Sequence, residues 1–316
     1  FKTEHGLFEF CRAPFGLKNL CNLYSRLVNL ALSGCDKIYL ICYLDDSLIF
    51  TPDLEIHLQT LEQVLEAHRT AGIKINPSKT NLFQEETDYL GFHITKDGLS
   101  MKKEAVKILA DWPVPENSRE VRAFCGKATY YKHFVNDFAR IASKLDELRQ
   151  TPPEKWKWTK EHEKSFTNLK KAIVRADNRG PSAFPNYSKS GGQFILDTDW
   201  SEQGIGLSLS QETEDGERLI SLGGRKCTPA ESKYAPSMGE LLGAWLGVLE
   251  WSHILRFKEF KLRTDARAWS AFKGGHNRQK GRFWRIMEEL STYNYITEHR
   301  PGVDHVNVDT ILELHI

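Results

Sequence analysis

The chain has 316 residues, 40% of them hydrophobic and 27% charged, with a formal net charge of +1 at pH 7. This length and composition predict about two or three domains with hydrophobic cores. The near-zero net charge excludes long-range attraction of the whole molecule to nucleic acid, so any basic surface that binds it must be local. No apolar run reaches transmembrane length, which excludes a membrane partner. Phe1 opens no signal sequence. Because the chain begins with Phe1 rather than Met, we expect it to be processed or incomplete.

Cysteine spacing bears on the compartment and on zinc binding. The six cysteines form no Cys-x-x-Cys pair and no paired spacing; they are Cys11, Cys21, Cys35, Cys42, Cys125 and Cys227. We therefore expect reduced thiols in an intracellular protein, cytoplasmic or nuclear, without a structural zinc site.

The N-terminal segment predicts a hairpin, a loop and a helix. Residues 1–10 alternate in polarity, which is consistent with a hairpin. Pro14 and Gly16 then shape a loop that carries Lys18 as a cation. The loop leads into a helix with three spaced leucines, Leu23, Leu27 and Leu30.

Residues 38–50 consist of two apolar runs separated by Asp45 and Asp46. Two short β-prone runs joined by so few residues predict a hairpin, whose turn would lift two adjacent carboxylates off the end of a buried sheet. Ionised carboxylates held together near a core are costly unless cations neutralise them, and oxygen-only ligands suit Mg²⁺ or Mn²⁺. The simpler interpretation of the dipeptide alone is a polar turn between strands.

A helix and a further strand follow the Asp-Asp hairpin. One face of the helix is predicted from the spacing of Leu58, Leu61, Leu65 and His68, and Gly72 stands where a C-terminal cap would be. The next residues carry Lys79, which in isolation is most simply a solvated loop lysine, and residues 89–94 form the strand.

Four segments, in order and spacing, resemble the reverse transcriptases of gypsy-type LTR retrotransposons. Residues 43–46 match the YxDD motif between two strands, and residues 14–19 match the segment PFGLKN. Residues 72–79 resemble the next polymerase motif, and residues 89–94 match the LGxxI strand at the primer grip.

The resemblance implies that Asp45 and Asp46 are catalytic, metal-binding carboxylates of a two-metal polymerase site. It also implies that Lys18 lies against the template–primer and incoming nucleotide, and that Lys79 lies near the leaving pyrophosphate. The family usually has Ala-Pro where residues 20–21 are Leu-Cys, a change that could disturb the template contact. The family's first catalytic aspartate lies upstream of the first hairpin and is not in this chain, so we expect polymerisation only when the missing N-terminal palm and fingers are supplied.

Residues 101–176 are predicted to be helical. Asn117 and Glu120 fit a capping box ahead of an apolar face. Basic and aromatic residues mix in residues 127–133, which suits a surface that grips a duplex backbone but also fits a solvated helix with a few packed rings. The resemblance makes this segment the thumb and connection. Residues 177–192, rich in Gly, Pro, Ser and Asn, are predicted to be a linker.

Four acids in the last third are candidate site residues, and three of them lie at the ends of predicted strands or at the start of a predicted helix. Asp199 ends a strand of alternating faces, with Asp197 on the same face as its rival. Glu240 opens a helix, where the local sequence Ser237-x-x-Glu240 favours a capping box instead. Asp265 ends another alternating strand, where a turn aspartate would be unremarkable. The fourth acid, near the C-terminus, is Asp309.

The order of these acids and their motifs resembles the ribonuclease H domain that follows reverse transcriptase in this family. Residues 198–206 match its TDxSxxGxG opening, and residues 301–309 resemble its PGxxNxVADALSR ending, with a departure after Asp309. The resemblance implies two Mg²⁺ ions, roughly 4 Å apart, that cut the RNA strand of an RNA–DNA hybrid. Asp199 would bridge both ions, Glu240 and Asp265 would share one, and Asp309 would hold the other.

A basic segment before the C-terminus is the best candidate for a phosphate-binding patch. No acid occurs in the sequence from Lys273 until Glu288. The basic residues of this segment are Lys273, Arg278, Lys280, Arg282 and Arg285. Trp284 within the segment could pack on a sugar or fill core, and we expect it to fill core.

The predicted fold is α+β. It comprises a partial reverse-transcriptase palm at 1–100, a helical thumb and connection at 101–176, the linker at 177–192, and a ribonuclease H-like mixed sheet flanked by helices at 193–316. The predicted function is a retroelement reverse transcriptase–ribonuclease H fragment that uses Mg²⁺ or Mn²⁺ on nucleic acid. Two alternatives stay open: an inactive relic that serves as a structural subunit of a larger assembly, and a nucleic-acid-binding module without chemistry.

Overall fold

The computed structural model describes residues 1–14, 16–180, 182–188, 191–264 and 282–299. The chain divides into two units, residues 1–85 and residues 86–316. Within the described residues, no helix combines the length and the apolar content needed to cross a bilayer.

The first unit consists of two hairpins and two helices around a small core. Its elements, in chain order, are β1 (Lys2–Thr3), β2 (Gly6–Leu7), α1 (Leu20–Ala31), β3 (Leu40–Tyr43), β4 (Asp46–Ile49) and α2 (Leu54–Thr70). Both β1–β2 and β3–β4 are antiparallel, so both predicted hairpins are present. The core is formed by Val28, Leu32, Cys35, Leu40 and Val64.

The buried side of α2 differs from the predicted apolar face. Leu58 and Leu65 are exposed, whereas Val64 and His68 are buried. The His68 ring contacts the Val64 carbonyl oxygen through Nδ1 at 2.7 Å, which satisfies one polar atom of a buried imidazole. The predicted face is therefore confirmed at His68 and, half-buried, at Leu61, but wrong at Leu58 and Leu65. Leucine spacing identifies a stripe but not the side from which the core approaches.

The second unit begins with a three-stranded antiparallel sheet and four helices. The strands are β5 (Thr87–Tyr89), β6 (Phe92–Thr95) and β7 (Gly98–Met101), and the helices are α3 (Lys103–Ala110), α4 (Ser118–Thr129), α5 (Phe138–Leu148) and α6 (Lys160–Asn178). The predicted helical segment is thus confirmed. Asn117 caps α4 as expected, since its Oδ1 accepts from the Glu120 amide at 3.0 Å.

The remainder of the second unit is a mixed five-stranded sheet with helices. Its elements are β8 (Phe194–Trp200), β9 (Gly204–Thr213), β10 (Gly216–Lys226), α7 (Pro236–Glu250), α8 (Ser252–Leu255), β11 (Phe260–Thr264), α9 (Arg282–Leu290) and β12 (Tyr295–His299). The strand order is β10-β9-β8-β11-β12, with β11 parallel to both β8 and β12 and the other pairs antiparallel. This arrangement confirms the predicted mixed sheet.

The three-stranded sheet and the segment after α4 both contact the five-stranded sheet along β10. His133 Nδ1 lies 3.0 Å from the Leu222 carbonyl oxygen, and Arg218 donates to the Asp97 carbonyl at 3.0 Å. Ser182 forms a β-bridge with Leu99 of β7, and the next residue, Ala183, donates from its amide to the Leu219 carbonyl of β10 at 2.8 Å. These contacts hold the five-stranded sheet against the rest of the second unit.

Candidate active site

Three glycines on one face of α7 allow this helix to pack closely on β8. Gly239, Gly243 and Gly247 are four residues apart, so they lie on the same face of the helix. A Cβ atom at Gly247 would lie 2.9 Å from Leu196 Cδ1, and one at Gly239 would lie 2.0 Å from Trp200 Cδ2. The helix therefore runs antiparallel to β8, with its first turns over the end of the strand.

This packing places Glu240 at the carboxyl end of the two central parallel strands. Glu240 directly follows Gly239, and its Oε2 accepts a hydrogen bond of 2.9 Å from the Thr264 hydroxyl at the end of β11. Glu240 is 8% exposed and Thr264 is 1% exposed, so the bond is shielded from water. A hydrogen bond in such surroundings is electrostatically stronger than one on the surface.

The capping-box interpretation of Glu240 is wrong. Helix α7 begins at Pro236, its N-cap is Ala235, and no side chain caps it. Ser237 therefore lies inside the first turn rather than at the cap. Proline at the first helical position has its φ preset and has no N–H to satisfy, which lets the helix start before the serine.

Asp199 stands at the same end of the sheet as Glu240. The parallel register pairs Arg263 of β11 with Asp197 of β8, so Thr264 and Asp199 both lie beyond that pair. Since Thr198 lies against the α7 face, strand alternation puts Asp199 on the other face. Glu240 and Asp199 thus reach this end from opposite faces of one sheet.

Asp197 belongs to a buried ionic network. It is fully buried, and its Oδ2 lies 4.0 Å from Arg263 Nη1. Arg263 also contacts Glu217 at 2.7 Å and Glu298 at 2.8 Å. Burial opposes the guanidinium charge, but the hydrogen bonds to these two glutamates outweigh it and raise the pKa of Arg263. The engagement of Asp197 in this network favours Asp199 as the site carboxylate.

Asp45 and Asp46 lie in the first unit, where the predicted hairpin is confirmed. Tyr43 pairs with Asp46 across the ribbon, and Leu44 in the turn has a φ of 56°. A leucine in the left-handed region is strained, and such strain is found most often at functional sites. Both carboxylates are exposed, and so is Ile41, so the two-stranded ribbon is not the buried sheet that was expected.

The predicted cationic residues are described only in part. Lys18 and Lys79 are both exposed, in the turn before α1 and in a 3₁₀ turn, respectively. Arg285 is exposed on α9, and Arg282 is the first residue of that helix. Trp284 is 52% exposed, so its predicted core role is wrong. The other predicted residues lie outside the described residues: Asp265, Lys273, Arg278, Lys280 and Asp309.

The described acids do not by themselves form a complete metal cage. Among the described residues there is no group of three or more His, Cys, Asp or Glu side chains placed to hold an ion. Two of the four predicted acids fall outside this part of the chain. Thr264 and the glycine face were not predicted, although the G-x-x-x-G-x-x-x-G spacing of α7 could have been noticed in the sequence.

Comparison with known proteins matches both parts of the chain to protein-family models. Residues 1–94 match the model for reverse transcriptase (RNA-dependent DNA polymerase). Residues 189–293 match the model for the RNase H-like domain found in reverse transcriptase.

The curated relatives are polyproteins of transposons. The chain is 29% identical over 328 residues to the retrovirus-related Pol polyprotein from transposon gypsy of Drosophila melanogaster, covering 98% of the chain and 30% of the relative. It is 27% identical over 317 residues to that from transposon 412 of the same organism, covering 100% and 25%. The Tf2-3 polyprotein of Schizosaccharomyces pombe is 25% identical over 306 residues, with 96% and 22% covered. The chain thus spans less than a third of each relative.

Solved structures with a similar fold include the foamy viral protease–reverse transcriptase. Its complex with double-stranded DNA has a TM-score of 0.77 at 19% identity, with 92% of this chain and 50% of that one covered. Its complex with an RNA/DNA hybrid has a TM-score of 0.74 at 19% identity, with 93% and 40% covered. At this identity the likeness shows the fold alone.

Proposed function

Because the chain belongs to the reverse transcriptase–ribonuclease H family of LTR-retrotransposon Pol polyproteins, we propose that residues 193–316 hydrolyse the RNA strand of RNA–DNA hybrids. The observation that carries the proposal is the placement of Glu240 at the carboxyl ends of β8 and β11, beside the strand that holds Asp199. Two acids far apart in sequence are thereby directed to one end of one sheet.

The donor set suits Mg²⁺ or Mn²⁺. Asp199 and Glu240 offer only carboxylate oxygens, which hard divalent cations prefer. We assign Asp265, which directly follows Thr264 in the sequence, and Asp309 as the other two ligands. When bound, the ions would activate the attacking water and stabilise the departing 3′ oxygen. The protein's own contribution is to hold these acids on a strand and a helix that are packed against each other.

The proposed substrate is a hybrid duplex. Positive side chains from Lys273 to Arg285 would contact its phosphates, and Arg285 is exposed as such contact requires. Recognition of the cut strand as RNA would rest on its 2′-hydroxyl groups. The foamy viral protein of similar fold has been solved with double-stranded DNA and with an RNA/DNA hybrid, which is compatible with a duplex substrate.

We also propose that Asp45 and Asp46 supply two carboxylates of a polymerase site, with Lys18 near the template–primer and Lys79 near the pyrophosphate. The exposure of both aspartates on a tight hairpin supports this role. Primer extension is expected only when an N-terminal palm and fingers segment, which would supply a further carboxylate, is added. Extension by the chain alone would contradict the need for the added segment.

Cleavage of a labelled RNA–DNA hybrid tests the hydrolase. The purified chain is incubated with the hybrid and Mg²⁺ or Mn²⁺, in parallel with Asp199→Asn and Glu240→Gln. A matched control is Glu250→Gln, which removes an exposed carboxylate from the end of the same helix. We expect cleavage by the parent and the control and none by the two site variants.

The same assay separates the alternatives. If the parent binds hybrid in a salt-sensitive manner without cutting it, the chain is a binding module. If it neither binds nor cuts at any metal concentration, an inactive relic with a structural role is the better description.

A further inference from the structure

We propose that Thr264 is a positioning residue for Glu240, whose carboxylate it orients for the divalent cation. The role rests on the hydrolase proposed above, because a positioned carboxylate matters only if it binds metal. The contact that carries it is the hydrogen bond of 2.9 Å from Thr264 Oγ1 to Glu240 Oε2.

The hydroxyl is held in place by its strand. Thr264 is 1% exposed and lies in β11, which pairs with β8 on one side and β12 on the other. A β-branched side chain has few χ1 rotamers available in such a setting. The donor is therefore fixed by the sheet before any ligand arrives.

The backbone of Glu240 is held by its helix. The close contacts of Gly239 with Trp200 and of Gly247 with Leu196 leave no room for α7 to move closer to β8. What stays adjustable is the glutamate side chain, with its several rotatable bonds. The bond from Thr264 removes that freedom during folding rather than during cation binding.

Removing the donor should weaken the cation site without unfolding the protein. Thr264→Val keeps the shape and β-branching but removes the hydroxyl, and Thr264→Ser keeps the hydroxyl. We measure Mn²⁺ binding to the metal-free chain by electron paramagnetic resonance, without nucleic acid, and thermal unfolding of each variant. Loss of a group that orients a ligand typically weakens metal affinity by about tenfold or more, so this is the effect expected for Thr264→Val. Thr264→Ser should stay within about threefold of the parent on the same scale.

Glu240→Gln makes the outcomes distinguishable. If Mn²⁺ affinity falls in both Glu240→Gln and Thr264→Val but not in Thr264→Ser, Thr264 acts through Glu240. If Thr264→Val binds Mn²⁺ like the parent while Glu240→Gln does not, the positioning role is wrong even though the metal site stands. If Glu240→Gln leaves Mn²⁺ binding unchanged, there is no Glu240 metal site to position, and the role is overturned together with the assignment of Glu240. Mn²⁺ binding that depends on Glu240, without cleavage of the hybrid, would contradict the proposed hydrolase. In that case the comparison of the Thr264 variants still decides whether Thr264 positions Glu240.

Discussion

Arg225 of β10 holds the Glu231 carboxylate with two hydrogen bonds, of 2.7 and 2.9 Å, ahead of the helix that carries Glu240. Glu231 is 2% exposed and also accepts from the Thr228 amide at 3.0 Å. The bonds from Arg225 first, and those from Thr228 after them, outweigh burial and lower the pKa of Glu231 to about 2. The segment between β10 and α7 is thereby fixed.

We expect Glu231→Gln to lower the free energy of unfolding at neutral pH by about 1–3 kcal/mol, because it removes the charged, buried acceptor of a bidentate pair with the partly exposed Arg225. The folded pKa lies below the ordinary value, so this stabilisation is complete above pH of about 4.5 and is lost as the pH falls toward about 2. Urea unfolding of parent and variant at pH about 7 and about 3 should show a smaller difference in acid.

The exposed pair of Arg149 with Asp146 provides the control for Glu231. Asp146→Asn should leave the free energy of unfolding nearly unchanged, since exposed pairs contribute little. An equal loss for both variants, or a Glu231 effect that is the same at both pH values, would contradict the account.

Glycine contacts predict opposite effects of one substitution at two helical positions. Gly239→Ala places a methyl group into the Trp200 indole and should destabilise the second unit by about 1–3 kcal/mol. Gly126 on α4 has open space around its would-be Cβ, so Gly126→Ala should stabilise the unit by about 0.5–1 kcal/mol. Chemical unfolding of both variants measures this difference, and a loss of stability at both positions would contradict it.

Much of the fold follows from local sequence, because local patterns decide local structure. Periodicity and turn residues predict the Asp45–Asp46 hairpin, the helices between 101 and 176 and the strand that carries Asp199. Glu240 was placed on a helix, but the position of the cap was wrong because Pro236 starts the helix before Ser237.

The remainder depends on which side of an element meets a partner, and periodicity does not contain that information. Leu58 and Leu65 are exposed because the core of the first unit reaches α2 from the Val64 side. Trp284 is exposed on α9 for a related reason, since Ile286 and Leu290 face the core instead. No local pattern links Thr264 to Glu240, because only the fold brings its hydroxyl against a carboxylate 24 residues earlier.

Tyr131 fastens the turn between β5 and β6. Its hydroxyl donates to the Gly91 carbonyl at 2.9 Å, and the side chain is 4% exposed. Tyr131→Phe leaves that carbonyl without this donor and should lower the free energy of unfolding by about 1 kcal/mol. Burial raises the pKa of Tyr131, so the donor stays protonated and the difference should not change in mildly alkaline buffer. Unfolding of Tyr131→Phe and the parent at neutral and mildly alkaline pH measures this difference. Identical stability of the two would show that the hydrogen bond to Gly91 does not stabilise the fold.

Arg285 on α9 predicts a salt-dependent effect on hybrid binding. Arg285→Gln should weaken binding to hybrids of any sequence and reduce the slope of log affinity against log salt by about 1. Glu288→Gln on the same exposed helix surface should instead strengthen binding, because it removes a negative charge. Fluorescence anisotropy over a salt series measures both, and unchanged slopes in the two variants would exclude α9 from the duplex contact.

If Asp199 and Glu240 serve one metal site, both carboxylates contact the same ion. A crystal of the chain soaked in Mn²⁺, with data collected at the manganese absorption edge, shows whether they do. We expect an anomalous peak contacted by both carboxylates, which disappears in Asp199→Asn and in Glu240→Gln. Carboxylates that share no ion, or a peak that persists unchanged in both variants, would contradict it.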